Sequence, residues 1–204
     1  MERVSKMNEM VKMVVVLTVL SAASGGVLAG VKKGTASQIE AQQLTFVKGP
    51  AIKSILAGSA NDPISDRFKI ADGELERNFF VGKMNGKASN IAFESYGKGF
   101  GGDIGFMVGV NLASGKVIGA AVTTHSETPG MGARAKDDPA FAAQFKGVSI
   151  RDKEIKVSKD GGKITAISGA TITSRGVCAA VTNAMATYQK LEPQIKEHIK
   201  QFDK

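Results

Sequence analysis

Polar and apolar positions divide the chain into one uniform apolar stretch and a longer part of alternating texture. Residues 13–31, MVVVLTVLSAASGGVLAGV, carry no charge, with Arg3, Lys6 and Lys12 before them and Lys32 and Lys33 directly behind. As an α-helix this stretch is roughly 28 Å long, close to the hydrocarbon thickness of a bilayer. A basic start, a short apolar core at 14–20 and the small-residue pattern Val27-Leu28-Ala29 also fit a cleaved signal peptide. Both readings send the rest of the chain out of the cytoplasm. The apolar character that runs on to Val31, and the basic pair behind it, favour a retained anchor. The expected organisation is a cytoplasmic N-terminus at 1–12, a transmembrane anchor at 13–31, a linker with a short helix at 32–65, a folded domain at 66–192 and a charged tail at 193–204.

Beyond the anchor, residues 36–46 read as a short helix, with Ile39, Leu44 and Phe46 partly periodic; Gly49-Pro50, Gly58 and Asp62-Pro63 then interrupt regular structure. From Arg67 the texture is that of strands. Residues 78–84 and 87–95 flank Asn85-Gly86, a dipeptide suited to a tight hairpin in which both turn positions take positive φ. A second hairpin joins 104–110 to 117–124 around Ser114-Gly115, with Ile104, Phe106, Val108 and Val110 on one face. Asp138-Pro139 opens a helix through Phe145, short strands follow at 154–158 and 163–167, and Ser174 caps a helix running to about Lys190. Val177, Val181, Ala184, Tyr188 and Leu191 form its buried stripe. The pattern predicts an α+β fold, a single domain with a mostly antiparallel twisted sheet covered by helices, preceded by one N-terminal transmembrane helix.

Composition adds exclusions. The 204 residues allow one domain with a full core besides the anchor. A net charge of +8 and a pI near 9.6 suit nucleic acid, an anionic membrane or an acidic partner alike. With no zinc-finger spacing, no aromatic RNA-binding signature and no tryptophan, nucleic acid has only the charge behind it. Cys178 is the single cysteine, so this chain supplies no disulfide, zinc cluster or iron–sulfur ligand set, and any redox chemistry needs another carrier. Cys178 itself reads as a small core thiol and His198 as a solvated residue of the tail. Arg134 and Lys136, and the mixed run 151–163, read as surface charge.

Three segments carry candidate chemistry. Ser168-Gly169-Ala170-Thr171-Ile172-Thr173-Ser174 joins a strand to a helix N-terminus with small residues, leaving the Thr171 hydroxyl reachable. Free N–H groups and positive dipole potential there would stabilise a phosphate, although a plain capping turn accounts for the same residues. His125-Ser126-Glu127-Thr128-Pro129-Gly130-Met131-Gly132 is a rigid turn in which Glu127 and Thr128 offer hydrogen bonds and Gly132 permits close backbone approach; alone, it also reads as an exposed hairpin extension. Residues 97–104 are glycine-rich but lack the Gly-Lys-Ser/Thr ending of a P-loop.

Taken together and in this order, the three segments resemble the FMN-binding domain shared by the G subunit of Rnf complexes and the C subunit of sodium-pumping NADH:quinone reductases. The resemblance implies FMN joined by a phosphoester to Thr171, with Ser168, Gly169, Ala170, Thr173 and Ser174 around the attachment point. It also implies that the family's His-x-Glu-Thr-Pro-Gly-Leu-Gly loop lies against the flavin, here His125, Glu127, Thr128, Pro129, Gly130, Met131 and Gly132. A flavin transferase with FAD as donor would make the bond. No catalytic acid or base and no metal are implied. The chain's length suits the Rnf subunit, an electron relay on the extracytoplasmic side of the cell membrane. Its partner subunits couple ferredoxin and NAD to movement of Na⁺ or H⁺. One departure stands out: the family carries Asp three residues before the motif's Ser, and this chain has Thr165. Two other readings compete, a stand-alone extracytoplasmic flavin reductase and a non-enzymatic anchored binding module.

Overall fold

The structure, a computed structural model, describes residues 2–73 and 75–202. The side chains of residues 2–7 lie outside the described set, so the segments 1–12 and 193–204 are covered in part. The chain divides into two compact units, one up to Gln43 and one from Leu44 onward.

The first unit is helix α1, Glu2–Gln42. It is long and apolar enough to cross a membrane, with a mean hydropathy of 2.1 over its most apolar window, none of it buried against protein. The short helix expected at 36–46 is not separate. No proline falls between Val31 and Lys48 and the lone Gly34 does not stop the helix, so α1 runs on to Gln42 and a π-helical segment, Gln43–Lys48, follows. The eleven helical residues beyond Val31 add about 16 Å to the apolar span.

In the second unit, α2 (Gly49–Ile55) has Pro50 in its first turn, where a missing N–H costs nothing. Five strands follow: β1 (Arg67–Asp72), β2 (Leu75–Met84), β3 (Lys87–Lys98), β4 (Asp103–Asn111) and β5 (Lys116–Val122). They form one antiparallel meander in the order β1-β2-β3-β4-β5. At the β2–β3 turn Asn85 has φ 53° and Gly86 φ 78°, the two positive values this hairpin type needs. After β5 come α3 (Arg134–Asp137), α4 (Pro139–Ala143, capped by the Asp138 carboxylate accepting from Ala140 N–H) and the long α5 (Thr171–Ile199).

Helix α5 covers one face of the sheet, burying its stripe on Phe79, Phe93, Ile104 and Phe106. Each fully buried side chain of this size contributes roughly 1.5–3 kcal/mol. On the other face, α2 supplies Ile52 to a smaller cluster with Phe80, Ala92 and Met107. Three expectations are corrected. Strands at 154–158 and 163–167 do not form: the β5 edge is taken by residues 147–150, leaving only an isolated Val157–Ile164 bridge and a short 3₁₀ turn, Ser158–Asp160. Helix α5 passes Pro193 and ends nine residues beyond Lys190, because Leu191, Ile195 and Ile199 keep its apolar stripe buried. In consequence His198 is not a solvated tail residue; its ring stacks on Phe68 at 5.0 Å.

Candidate functional site

The amino end of α5 begins four residues earlier than the sequence predicts, with the N-cap at Ala170 instead of Ser174, and no side chain caps the helix. Ser174 is therefore inside α5 and fully buried; its hydroxyl donates to Ala170 O at 2.9 Å and accepts from Ile167 N–H at 3.0 Å, locking the preceding turn. The first bond of the helix ladder is Ser174 N–H to Ala170 O, 3.0 Å, so among the described residues the N–H groups of Thr171, Ile172 and Thr173 have no protein acceptor. Gly169, at φ 79°, turns the chain into the helix. Thr171 is partly exposed, and among the described residues its hydroxyl makes no hydrogen bond.

A cleft of about 400 Å³ opens at this helix end, lined by Thr171, Gly169, Ala170 and Thr173 from the turn, Glu127, Thr128, Met131 and Gly132 from the Pro-Gly loop, and Phe100, Lys159 and Ile172. The volume lies within the roughly 300–1,000 Å³ typical of small-molecule sites. Phe100, Met131 and Ile172 are at least half exposed around it, an apolar rim beside a helix terminus with free donors. Such a combination fits a molecule with a flat apolar ring at one end and a phosphate at the other. FMN has that shape, and the fit rests on these residues alone.

Glu127 is buried beneath the cleft. Its carboxylate accepts from Gly101 N–H at 2.8 Å and from the Thr173 hydroxyl, and its own N–H donates to His125 Nδ1 at 3.2 Å. His125, Pro129, Gly130, Ser168 and Ser174 stand outside the lining: His125 is half-buried and accepts the Glu127 N–H within the loop, Pro129 and Gly130 form its exposed turn, Ser168 is exposed and Ser174 is buried. Arg134 and Lys136 are exposed and also lie outside it, the Lys136 ammonium donating to Thr123 O at 3.2 Å. Thr165, at the position where the family has Asp, is exposed and pairs its backbone with the Gln144 amide.

The sequence reads Lys159 only as part of the surface-charged run 151–163, and no local pattern marks it for the cleft it lines. It reaches the cleft because Arg175, in the first turns of α5, grips the neighbouring Asp160 through two bonds of 2.7 Å. Arg175 donating to the Asp160 carboxyl holds that group below the usual carboxylate range. On the far side of the sheet, Glu94 accepts from Lys48 and the Tyr96 hydroxyl, both at 2.6 Å, and from Thr123. Burial, with the Glu94 carboxylate next, pushes the Tyr96 phenol well above its ordinary range.

A domain that binds a small molecule is what this fold and cleft define, and comparison gives the class: the FMN-binding domain family matches residues 99–186, which include most of the glycine-rich loop, the Pro-Gly loop and Thr171. The crystal structure of Shewanella oneidensis NqrC superposes with a TM-score of 0.52 at 25% identity, over 68% of this chain and 72% of that one. The G subunit of the ion-translocating oxidoreductase complex from Methanosarcina acetivorans is 31% identical over 89% of this chain and 95% of its own length. The G subunit of the proton-translocating ferredoxin:NAD(+) oxidoreductase complex from Clostridium ljungdahlii is 31% identical, over 83% and 86%. Against the G subunit of the Cereibacter sphaeroides complex, 35% identical, the match takes in 64% of this chain and spans only 61% of the relative. The chain belongs to the family of ion-translocating oxidoreductase complex G subunits. With its long apolar helix, it is a single-pass membrane protein.

Proposed function

We propose that this chain is the electron-relay subunit of an Rnf-type membrane complex and carries FMN covalently on Thr171. The observation that supports this reading best is the Thr171 hydroxyl, unbonded and partly exposed, at the first residue of an uncapped helix on the cleft. In maturation by a flavin transferase, the Thr171 oxygen attacks the flavin-side phosphorus of FAD. The pyrophosphate P–O bond breaks, AMP leaves, and the hydroxyl proton passes to solvent. The N–H groups of Thr171, Ile172 and Thr173 would hold the phosphate, and Phe100, Met131 and Ile172 would shield the ring from water. When bound, FMN supplies the acceptance and release of electrons, and the protein tunes that chemistry by hydrogen bonding and desolvation. A tether suits a domain on the extracytoplasmic side, where a lost cofactor is not readily replaced. Residues 1–12 then stay in the cytoplasm. The other subunits couple electron flow between ferredoxin and NAD to ion movement, as the name of the Clostridium relative describes for its own complex.

The test is co-expression with a flavin transferase, denaturing electrophoresis and ultraviolet-excited fluorescence. Wild type is expected to fluoresce, Thr171→Ala to be dark and Thr171→Ser to retain signal. A fluorescent Thr171→Ala band would reject the site. Copurification of integral-membrane subunits separates a complex member from a stand-alone reductase, which would instead turn over substrate alone.

A further inference from the structure

Glu127 reads from sequence as a hydrogen-bond partner of the flavin ring. Its surroundings assign it different work. The residue is 6% exposed, and each carboxylate oxygen already has a donor: the Gly101 N–H on Oε1 and the Thr173 hydroxyl on Oε2. The space beside both oxygens is filled by backbone. A Cβ at Gly99 would collide with Oε1, and one at Gly132 would lie 2.5 Å from Oε2 and 2.7 Å from Thr173 Oγ1. Among the described residues no cation pairs with Glu127; what faces it is the amino end of α5, which has no side-chain cap of its own. A carboxylate beside a helix N-terminus is stabilised by the free N–H groups and dipole there.

The partners are far apart in sequence, Gly101 by 26 positions and Thr173 by 46. One carboxylate therefore joins the glycine-rich loop, the Pro-Gly loop and the first turn of α5, the three segments that line the cleft. We infer that Glu127 is a positioning residue: it fixes these segments, and through Thr173 the neighbouring Thr171, in the arrangement that receives the flavin, and it makes no bond to the ring itself. Thr173 is its necessary counterpart. This inference rests on the flavin reading for its consequence, but the clamp is a property of the unmodified protein.

The first experiment uses the full chain in detergent, made without a flavin transferase, and follows amide exchange at Gly101 by hydrogen–deuterium exchange. Glu127→Ala is expected to speed that exchange by about tenfold or more, the loss expected for a hydrogen bond to a charged group. Glu127→Gln keeps an acceptor for Gly101 and is expected to retain most of the protection, and Thr173→Ser to behave as wild type. Glu127→Ala combined with Thr173→Val should be no worse than Glu127→Ala alone, because one interaction is removed twice. Unchanged exchange in Glu127→Ala, or full additivity in the double variant, would overturn the clamp.

The second experiment supplies the transferase and measures the rate of flavin attachment at a temperature where every variant is folded. Glu127→Ala is expected to be slowed about tenfold by the same interaction loss, with Glu127→Gln close to wild type. A loaded Glu127→Gln protein whose flavin spectrum and midpoint potential are shifted, with Gly101 exchange untouched, would show that Glu127 touches the ring and sink the positioning role. Equal attachment rates in wild type and Glu127→Ala would sink it too. Absence of flavin from every variant would count against the proposed function, while the exchange results would still judge the clamp.

Discussion

A methyl group at residue 132 has no room, since its carbon would lie 2.5 Å from Glu127 Oε2, 2.7 Å from Thr173 Oγ1 and 2.8 Å from Glu127 Cβ. Gly132→Ala must push the loop off α5, and we expect it to destabilise the protein by about 1–3 kcal/mol, the usual cost of overpacking, measured by denaturant unfolding. At Cys178, burial pushes the thiol up to about 11. The folded state thus holds its proton at pH values where the unfolded thiol has lost it. That stability contribution is fully present below about pH 9 and disappears as the pH climbs towards 11. A pH series of unfolding midpoints should show the decline, and Cys178→Ala should remove part of it. The native thiol should also resist alkylation at pH 8 until the protein is unfolded.

At the scale of elements, Asp72 ties the β1–β2 hairpin to α5. Its carboxylate accepts from Lys190 at 2.6 Å and from Arg77 at 2.7 Å, and these bonds, Lys190 first, hold it below its ordinary range. A lowered carboxyl stabilises the fold above the ordinary carboxylate range and loses that effect as pH falls through the lowered value. Asp72→Asn is expected to cost up to about 1 kcal/mol at neutral pH, because Lys190 is largely exposed and screened. It should also flatten the acid side of the stability profile, which thermal melts from neutral to acidic pH would check. The strand edges explain a failure of local reading. Residues 154–158 and 163–167 have strand-like texture, but pairing needs a free edge, and residues 147–150 already bond along β5.

For the whole molecule, the division after Gln43 separates an apolar helix from a domain with its own two-sided core. Removing residues 1–43 is expected to move the protein into the soluble fraction with a single cooperative unfolding transition; persistent membrane association would show that another surface binds lipid. In right-side-out vesicles, added protease should degrade the domain of the full chain, and in inverted vesicles it should leave the domain protected. The reverse pattern would place the flavin site in the cytoplasm.

What the amino-acid sequence determined by itself was whatever depends on neighbours a few residues apart. The uncharged run at 13–31, the Asn85-Gly86 hairpin, the alternating face of Ile104 to Val110 and the stripe from Val177 to Leu191 are all local periodicities, and each reappears in the folded chain. The motif residues around Thr171 and Glu127 were legible too, as a pattern in order along the chain. Tertiary structure alone decided who meets whom. Lys159 faces the cleft because Arg175 grips Asp160, Phe100 stands at its rim because Gly101 is tied to Glu127, and Ser174 became a buried lock once the helix began at Thr171. Those contacts join segments tens of residues apart, and their distances are set by how α5 lies on the sheet. No short window of sequence contains that information.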